Sequence, residues 1–170
     1  MTASALPALV LASSLLPAML IFLLPEERRG ARTALNLAAA GLKIALVAAM
    51  SWGVVQQRPY EVRVAMLPGA DFVLRADALA CLFAGLSALL WLFTTVYAIG
   101  YLEGAPNRSR FFGFFSLCVA STMGIALAGN LPTFLLFYEL LTISTCPLVV
   151  HRGTAKSLAA GRTYLRYTIT

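Results

Sequence analysis

Asn130-Leu131-Pro132-Thr133-Phe134-Leu135-Leu136-Phe137-Tyr138-Glu139-Leu140-Leu141-Thr142-Ile143-Ser144-Thr145-Cys146-Pro147-Leu148-Val149-Val150 is the stretch that decides the architecture. It is long enough to cross a bilayer, which takes about 20 predominantly apolar residues in an α-helix. Pro132 falls in the first turn, where a missing N–H costs nothing. One ionisable side chain, Glu139, sits at the middle. An acid at that depth costs roughly 2.5–3.5 kcal/mol on insertion scales, and its side chain is too short to reach the interface. It needs a partner, a wet cavity or a proton, and its charge then depends on whether a cation stands nearby.

The rest of the chain repeats the pattern. Of 170 residues, 60% are hydrophobic and only 12% charged, and the mean hydropathy is +0.83. A soluble domain of this size could not hide so much apolar surface. Further spans are expected at 6–24, 33–55, 77–100 and 110–129, with 131–150 as the fifth. Asp77 should cap the third. The first is not read as a cleavable leader, because no basic residue precedes it and a second span follows soon after. Residues 154–170 mix Lys156, Arg162 and Arg166 with Leu158, Leu165 and Ile169, which suits an interfacial helix leading to a further span. That span would lie past Thr170, in a longer chain or on another polypeptide. The fold class is therefore all-α: a multi-pass transmembrane helical bundle of about five spans plus a C-terminal interfacial helix.

Basic residues orient it. Arg28, Arg29, Arg32, Arg108, Arg110, Arg152, Lys156, Arg162 and Arg166 fall on one side, against Arg58, Arg63 and Arg75 on the other. The positive-inside rule places the nine-residue side in the cytoplasm and the N-terminus outside. The net charge of +6 thus belongs to membrane topology, and no nucleic-acid partner is expected. Within the outer loop 56–76, Tyr60, Val62 and Val64 alternate with Glu61 and Arg63. Pro68-Gly69 is a turn signal, so a β-hairpin competes with an irregular loop.

Small residues spaced by four mark surfaces where helices approach closely in lipid. Ser116, Ala120, Gly124 and Ala128 form such a stripe on the fourth span, and Gly41, Ala45, Ala49 and Gly53 on the second. Cys81, Cys118 and Cys146 lie far apart in apolar runs and read as fillers. No metal or cofactor site and no catalytic residues are expected. Trp52, Tyr60 and Tyr101 suit interfacial aromatic belts.

Besides Glu139, two ionisable groups stand out. Lys43 lies about 15 Å into the second span at 1.5 Å per residue, off the small-residue stripe. It could pair with an acid on another polypeptide or beyond this chain's end. His151 ends the fifth span, either as a titrating relay member or as an ordinary interfacial histidine. Pro147 cannot donate to the Ile143 carbonyl. Thr142, Ser144, Thr145 and Cys146 surround that point. They suit either a simple kink repaired by hydroxyls or a polar water path from Glu139 toward His151.

The fifth-span stretch, with Gly161-Arg162-Thr163-Tyr164-Leu165-Arg166-Tyr167, Arg75-Ala76-Asp77-Ala78-Leu79 and Tyr97-Ala98-Ile99-Gly100-Tyr101, resembles the antiporter-like membrane subunits. These are the D-type subunits of Mrp-type multisubunit sodium/proton antiporters and the proton-pumping subunits of complex I and membrane-bound hydrogenases. The resemblance implies a fold of about fourteen helices with two inverted five-helix repeats. Residues 1–109 would be the N-terminal three-helix region, with the outer loop 56–76, and 110–170 the start of the first repeat. It implies that Glu139 works with a lysine on a seventh helix, absent from this sequence. Lys43 has no place in that pattern, and Cys146 replaces an aromatic residue. The implied function is proton or monovalent-cation translocation in the inner cell membrane, with Glu139, Lys43 and His151 as candidate translocation residues. Lipid and other subunits would be its partners, protons its cargo and sodium a second candidate ion. The alternatives are a component of a redox-driven complex and a non-transporting scaffold, and no redox centre is expected in this chain.

Overall fold

The computed structural model describes residues 5–67, 70–102, 107–151 and 153–169. The expected Pro68-Gly69 turn, Arg152 of the charge tally and Thr170 lie outside the described residues. Along the chain run α1 (Leu6–Leu23), α2 (Arg29–Val55), β1 (Tyr60–Leu67), β2 (Ala70–Ala76), α3 (Ala78–Tyr101), α4 (Arg108–Ala126), α5 (Leu131–Val149) and α6 (Ala155–Ile169). The helices α1 to α5 are each long and apolar enough to cross a membrane. The protein is a multi-pass, all-helical membrane bundle with one small sheet. Helix α1 packs on α4 and α2, α2 packs on α3, and α4 joins α1 to α5.

The caps follow the sequence. The Asp77 carboxylate accepts from the Ala80 N–H at 2.8 Å, and the Asn130 side chain accepts from the Thr133 N–H at 3.0 Å. Each satisfies an otherwise orphaned first-turn donor. Helix α4 is capped differently. Asn107 adopts a left-handed backbone and gives no side-chain cap. Glu26, from the α1–α2 connection, instead accepts from the Arg108 N–H at 3.2 Å and the Ser109 N–H at 2.9 Å.

The hairpin forms, antiparallel, with Tyr60 opposite Ala76 and Val64 opposite Phe72. The free edge of β2 is taken by the α4–α5 turn. The Arg75 N–H donates to the Leu127 carbonyl at 2.7 Å and the Gly129 N–H to the Val73 carbonyl at 2.8 Å. The Val73 N–H reaches the Thr133 hydroxyl at 2.9 Å, and Asn130 Nδ2 donates to the Asp71 carbonyl at 2.7 Å. This edge is therefore covered, and the start of α5 is fixed to the sheet.

The small-residue stripes part company. Ser116, Ala120 and Gly124 are buried on α4 as expected. A Cβ on Gly124 would overlap the ring of Phe137, so α4 and α5 meet there at closest approach. On α2 the stripe does not face this chain's own bundle: Gly41, Ala45 and Ala49 are exposed, and only Gly53 is buried, beneath the Tyr60 side chain. The buried face is Arg32, Asn36, Ala39, Ala40, Lys43, Val47, Met50 and Gly53. Polar side chains, not the small-residue stripe, took the inside. Tyr60 is likewise a core residue, not part of an aromatic belt; Trp52 and Tyr101 are exposed.

Candidate functional site

The Asn130 cap and the hairpin contacts set where α5 begins, and the helix then carries Glu139 as the ninth of its 19 residues. That is about 12 Å from Leu131. Thr133 and Phe137 face inward, whereas Glu139 is exposed beside Leu135, Leu136 and Ile143. Glu139 makes no hydrogen bond or ion pair with any described residue. The acid is thus presented outward from this chain's own bundle, at mid-span.

The hydroxyls around Pro147 are committed to their own helix. Thr142, Ser144 and Thr145 donate to the carbonyls of Tyr138, Leu140 and Leu141 at 3.1, 2.5 and 3.0 Å. Thr145 also meets the Tyr164 hydroxyl of α6 at 2.5 Å. Helix α5 runs through Pro147 to Val149. This favours the repaired helix over a polar path, since buried hydroxyls in an apolar medium bind the nearest carbonyl.

His151 lies two residues past the end of this helix. Its ring meets Phe111 edge-on, with centroids 5.4 Å apart. Burial, then the nearby Arg110 charge, pushes its pKa below the usual histidine range, so near neutral pH the imidazole carries no charge. Twelve residues separate it from Glu139, about 18 Å along a helix.

Lys43 is not near Glu139 and is not open to another polypeptide. It is fully buried among the helices of this chain. Its ammonium donates to the Ser14 hydroxyl of α1 at 2.6 Å and lies 4.8 Å from the centre of the Trp91 ring of α3. In place of the expected acid, the cation faces one hydroxyl and an aromatic face. The structure therefore brings none of Glu139, Lys43 and His151 together.

Sequence reasoning missed the groups below Lys43 on α2. Asn36 is buried, donates to the Arg32 carbonyl at 3.0 Å and accepts from the Ser116 hydroxyl at 3.3 Å. Arg32 is buried too, donating to the Ser109 hydroxyl at 2.6 Å and to Glu26 at 3.5 Å. A signal existed: Arg32, Asn36 and Lys43, at i, i+4 and i+11, share one helical face. Glu26 thus holds a helix start and a buried guanidinium at once. Glu26→Ala should destabilise the assembled protein by about 1–2 kcal/mol, seen as an earlier thermal transition in detergent. Glu27→Gln should leave the transition in place.

Among the described residues no group of His, Cys, Asp or Glu could hold a metal ion, and the three cysteines are free.

No family model matches the chain. It is 33% identical over 81 residues to a probable K(+)/H(+) antiporter A/B subunit of Rhizobium meliloti (strain 1021), a match covering 48% of this chain and 8% of that protein. It is 31% identical over 81 residues to an Na(+)/H(+) antiporter A1 subunit of Staphylococcus haemolyticus (strain JCSC1435), covering 48% and 10%. The chain therefore spans about a tenth of the length of these curated relatives. Its fold is similar to a chain in the structure of the membrane-bound sulfane sulfur reductase (MBS), an archaeal respiratory membrane complex. That similarity has a TM-score of 0.68 at 20% identity and covers 82% of this chain and 22% of the other. The curated relatives are of the A type where the resemblance named the D type, and both types are antiporter-like.

Proposed function

We propose that this chain, an Mrp-type antiporter-like membrane subunit, is part of the path by which such proteins move protons and monovalent cations across the inner cell membrane. The observation that carries the reading is Glu139, an acid at mid-span with no partner among the described residues. A carboxyl held there without a cation is a poor structural choice and a good proton carrier, since it changes charge as a cation approaches or leaves. The antiporter relatives support the same reading. On it, residues 1–109 form an N-terminal three-helix region and 110–170 open the first transporter repeat. The exposed face around Glu139 meets protein beyond this chain, which brings the cation. His151, uncharged and packed on Phe111, lies just past the helix and is not assigned a relay step. The test is ion-coupled proton flux in vesicles carrying the whole complex, with Glu139 replaced by Gln.

The sidedness of the path follows from orientation, with the hairpin outside and α6 inside. Starting from a background lacking Cys81, Cys118 and Cys146, Ala65→Cys should react with an impermeant thiol reagent added outside intact cells. Lys156→Cys should react only after the membrane is opened. The reverse labelling would invert the orientation.

A further inference from the structure

We propose that Lys43, Trp91 and Thr95 hold an internal water site, closed to lipid and independent of Glu139. The three groups are 0%, 2% and 0% exposed, so no side chain of a partner can enter. An ammonium has three N–H donors, and one of them goes to Ser14. The Trp91 ring face answers the charge but accepts none of the remaining N–H bonds in the ordinary sense.

Two more buried polar atoms lie on the same face of α3, one turn apart. Trp91 Nε1 and Thr95 Oγ1 have no hydrogen-bond partner among the described residues. Hydroxyls on the neighbouring helices are committed to their own backbone. Ser51, Ser121, Thr122, Thr142, Ser144 and Thr145 each donate to a carbonyl four residues back. Thr95 could do the same to the Trp91 carbonyl and does not, which leaves its hydroxyl open to another group.

The chemistry selects the occupant. The site offers N–H donors from Lys43 and Trp91, and from Thr95 a hydroxyl that gives or takes a hydrogen bond. A metal cation would find only hydroxyl oxygens here, too few for a ligand set. Water suits this set of groups, since it can accept from N–H donors and donate to a hydroxyl, and a buried water makes roughly three hydrogen bonds. Helices α2 and α3 run antiparallel, so Thr95 lies on the Asn36 side of Trp91. In that direction α2 presents only Ala39 and Ala40, which pack with Trp91, before Asn36 and its Ser116 partner. The two alanines therefore separate the water from the polar groups Asn36, Arg32 and Glu26.

The test is hydroxyl-radical footprinting by X-ray radiolysis of the intact complex in membranes, read by mass spectrometry. Radicals made from bound water label the side chain beside it. Met50 and Met123 are fully buried in the apolar core, and methionine and tryptophan are both among the side chains most reactive toward hydroxyl radical. Trp91 should be modified at least ~3-fold faster than either methionine, as a buried polar site retains its water and an apolar core stays dry. Thr95→Val keeps the shape and removes the hydroxyl, and should cut Trp91 labelling by half or more. Exposed Trp52 reports equal dose in both samples. Trp91 labelling no faster than Met50 and Met123 would overturn the site, as would labelling that Thr95→Val leaves unchanged.

Discussion

Glu139→Gln should abolish measurable ion-coupled proton flux in vesicles carrying the complete complex, while subunit content on blots stays near normal. Gln retains the shape and most of the hydrogen-bonding capacity of Glu but cannot titrate. Positioned proton transfer is worth roughly 10²–10⁴ in rate, so the loss should be at least about a hundredfold. Assembly should survive because Glu139 makes no contact with a described residue that Gln would break. A neutral amide is also cheaper to insert than a carboxylate. Glu139→Asp keeps the titrating group but shortens its reach by one methylene, so partial flux is expected. A scaffold that needed only a hydrogen bond would tolerate Gln. Full flux with Glu139→Gln at normal subunit levels would remove this chain from the proton path.

The largest loss of assembly should come from Gly124→Leu. Its Cβ alone would overlap the Phe137 ring, and three further carbons must then fit where α4 and α5 meet. Overpacking a well-filled core costs about 1–3 kcal/mol for modest insertions, and here the obstacle is a whole aromatic ring. The variant should fail to accumulate in the membrane, or melt far earlier. Gly124→Ala should show a milder form of the same defect. Adding Phe137→Leu to Gly124→Ala should recover part of the loss, because the two residues share one contact. Leu117→Ile, off the buried stripe and conserving volume, should be close to neutral. Equal damage from Leu117→Ile and Gly124→Leu would mean that the stripe reflects composition alone.

These two sites differ in how far the sequence announced them. Span positions, the Asp77 cap, the Pro132 first turn and the α4 stripe are written in local order: apolar runs of membrane length, a capping side chain, a proline where no N–H is needed, small residues every fourth position. Alternation between Tyr60 and Val64 allowed the hairpin without deciding it against an irregular loop. Contacts made at a distance are not legible in this way. Glu26 caps a helix 83 residues away, and nothing near Ser109 in the chain foretells it. Lys43 could be seen to lie deep, but its partners, Ser14 and Trp91, come from two other helices, and neither is an acid. The α2 stripe did not mark the side facing this chain's bundle, because alanine is both a packing residue and the commonest way to fill a helix. Three polar residues in an apolar run were the better guide to its inner face. Glu139 was legible in depth and not in direction, since the period of one helix does not say which side its neighbours take.

The seam between β2 and the α4–α5 turn has a consequence for how this protein meets membranes of different thickness. Asn130 and Thr133 bind the hairpin strand at the first turn of α5, so the helix is anchored at one end to a structure outside the hydrocarbon. A bilayer thicker or thinner than the spans imposes hydrophobic mismatch, which free helices relieve by tilting or sliding at a cost of fractions of a kcal/mol per Å. Here sliding at the sheet end would break side-chain bonds to the strand backbone, so adjustment falls on the opposite end, near Val149 and α6. The carboxyl of Glu139 then keeps a constant depth below the hairpin surface while the far surface moves. The sheet is a datum from which the acid is measured, and lipid thickness alters the depth of membrane on only one side of it.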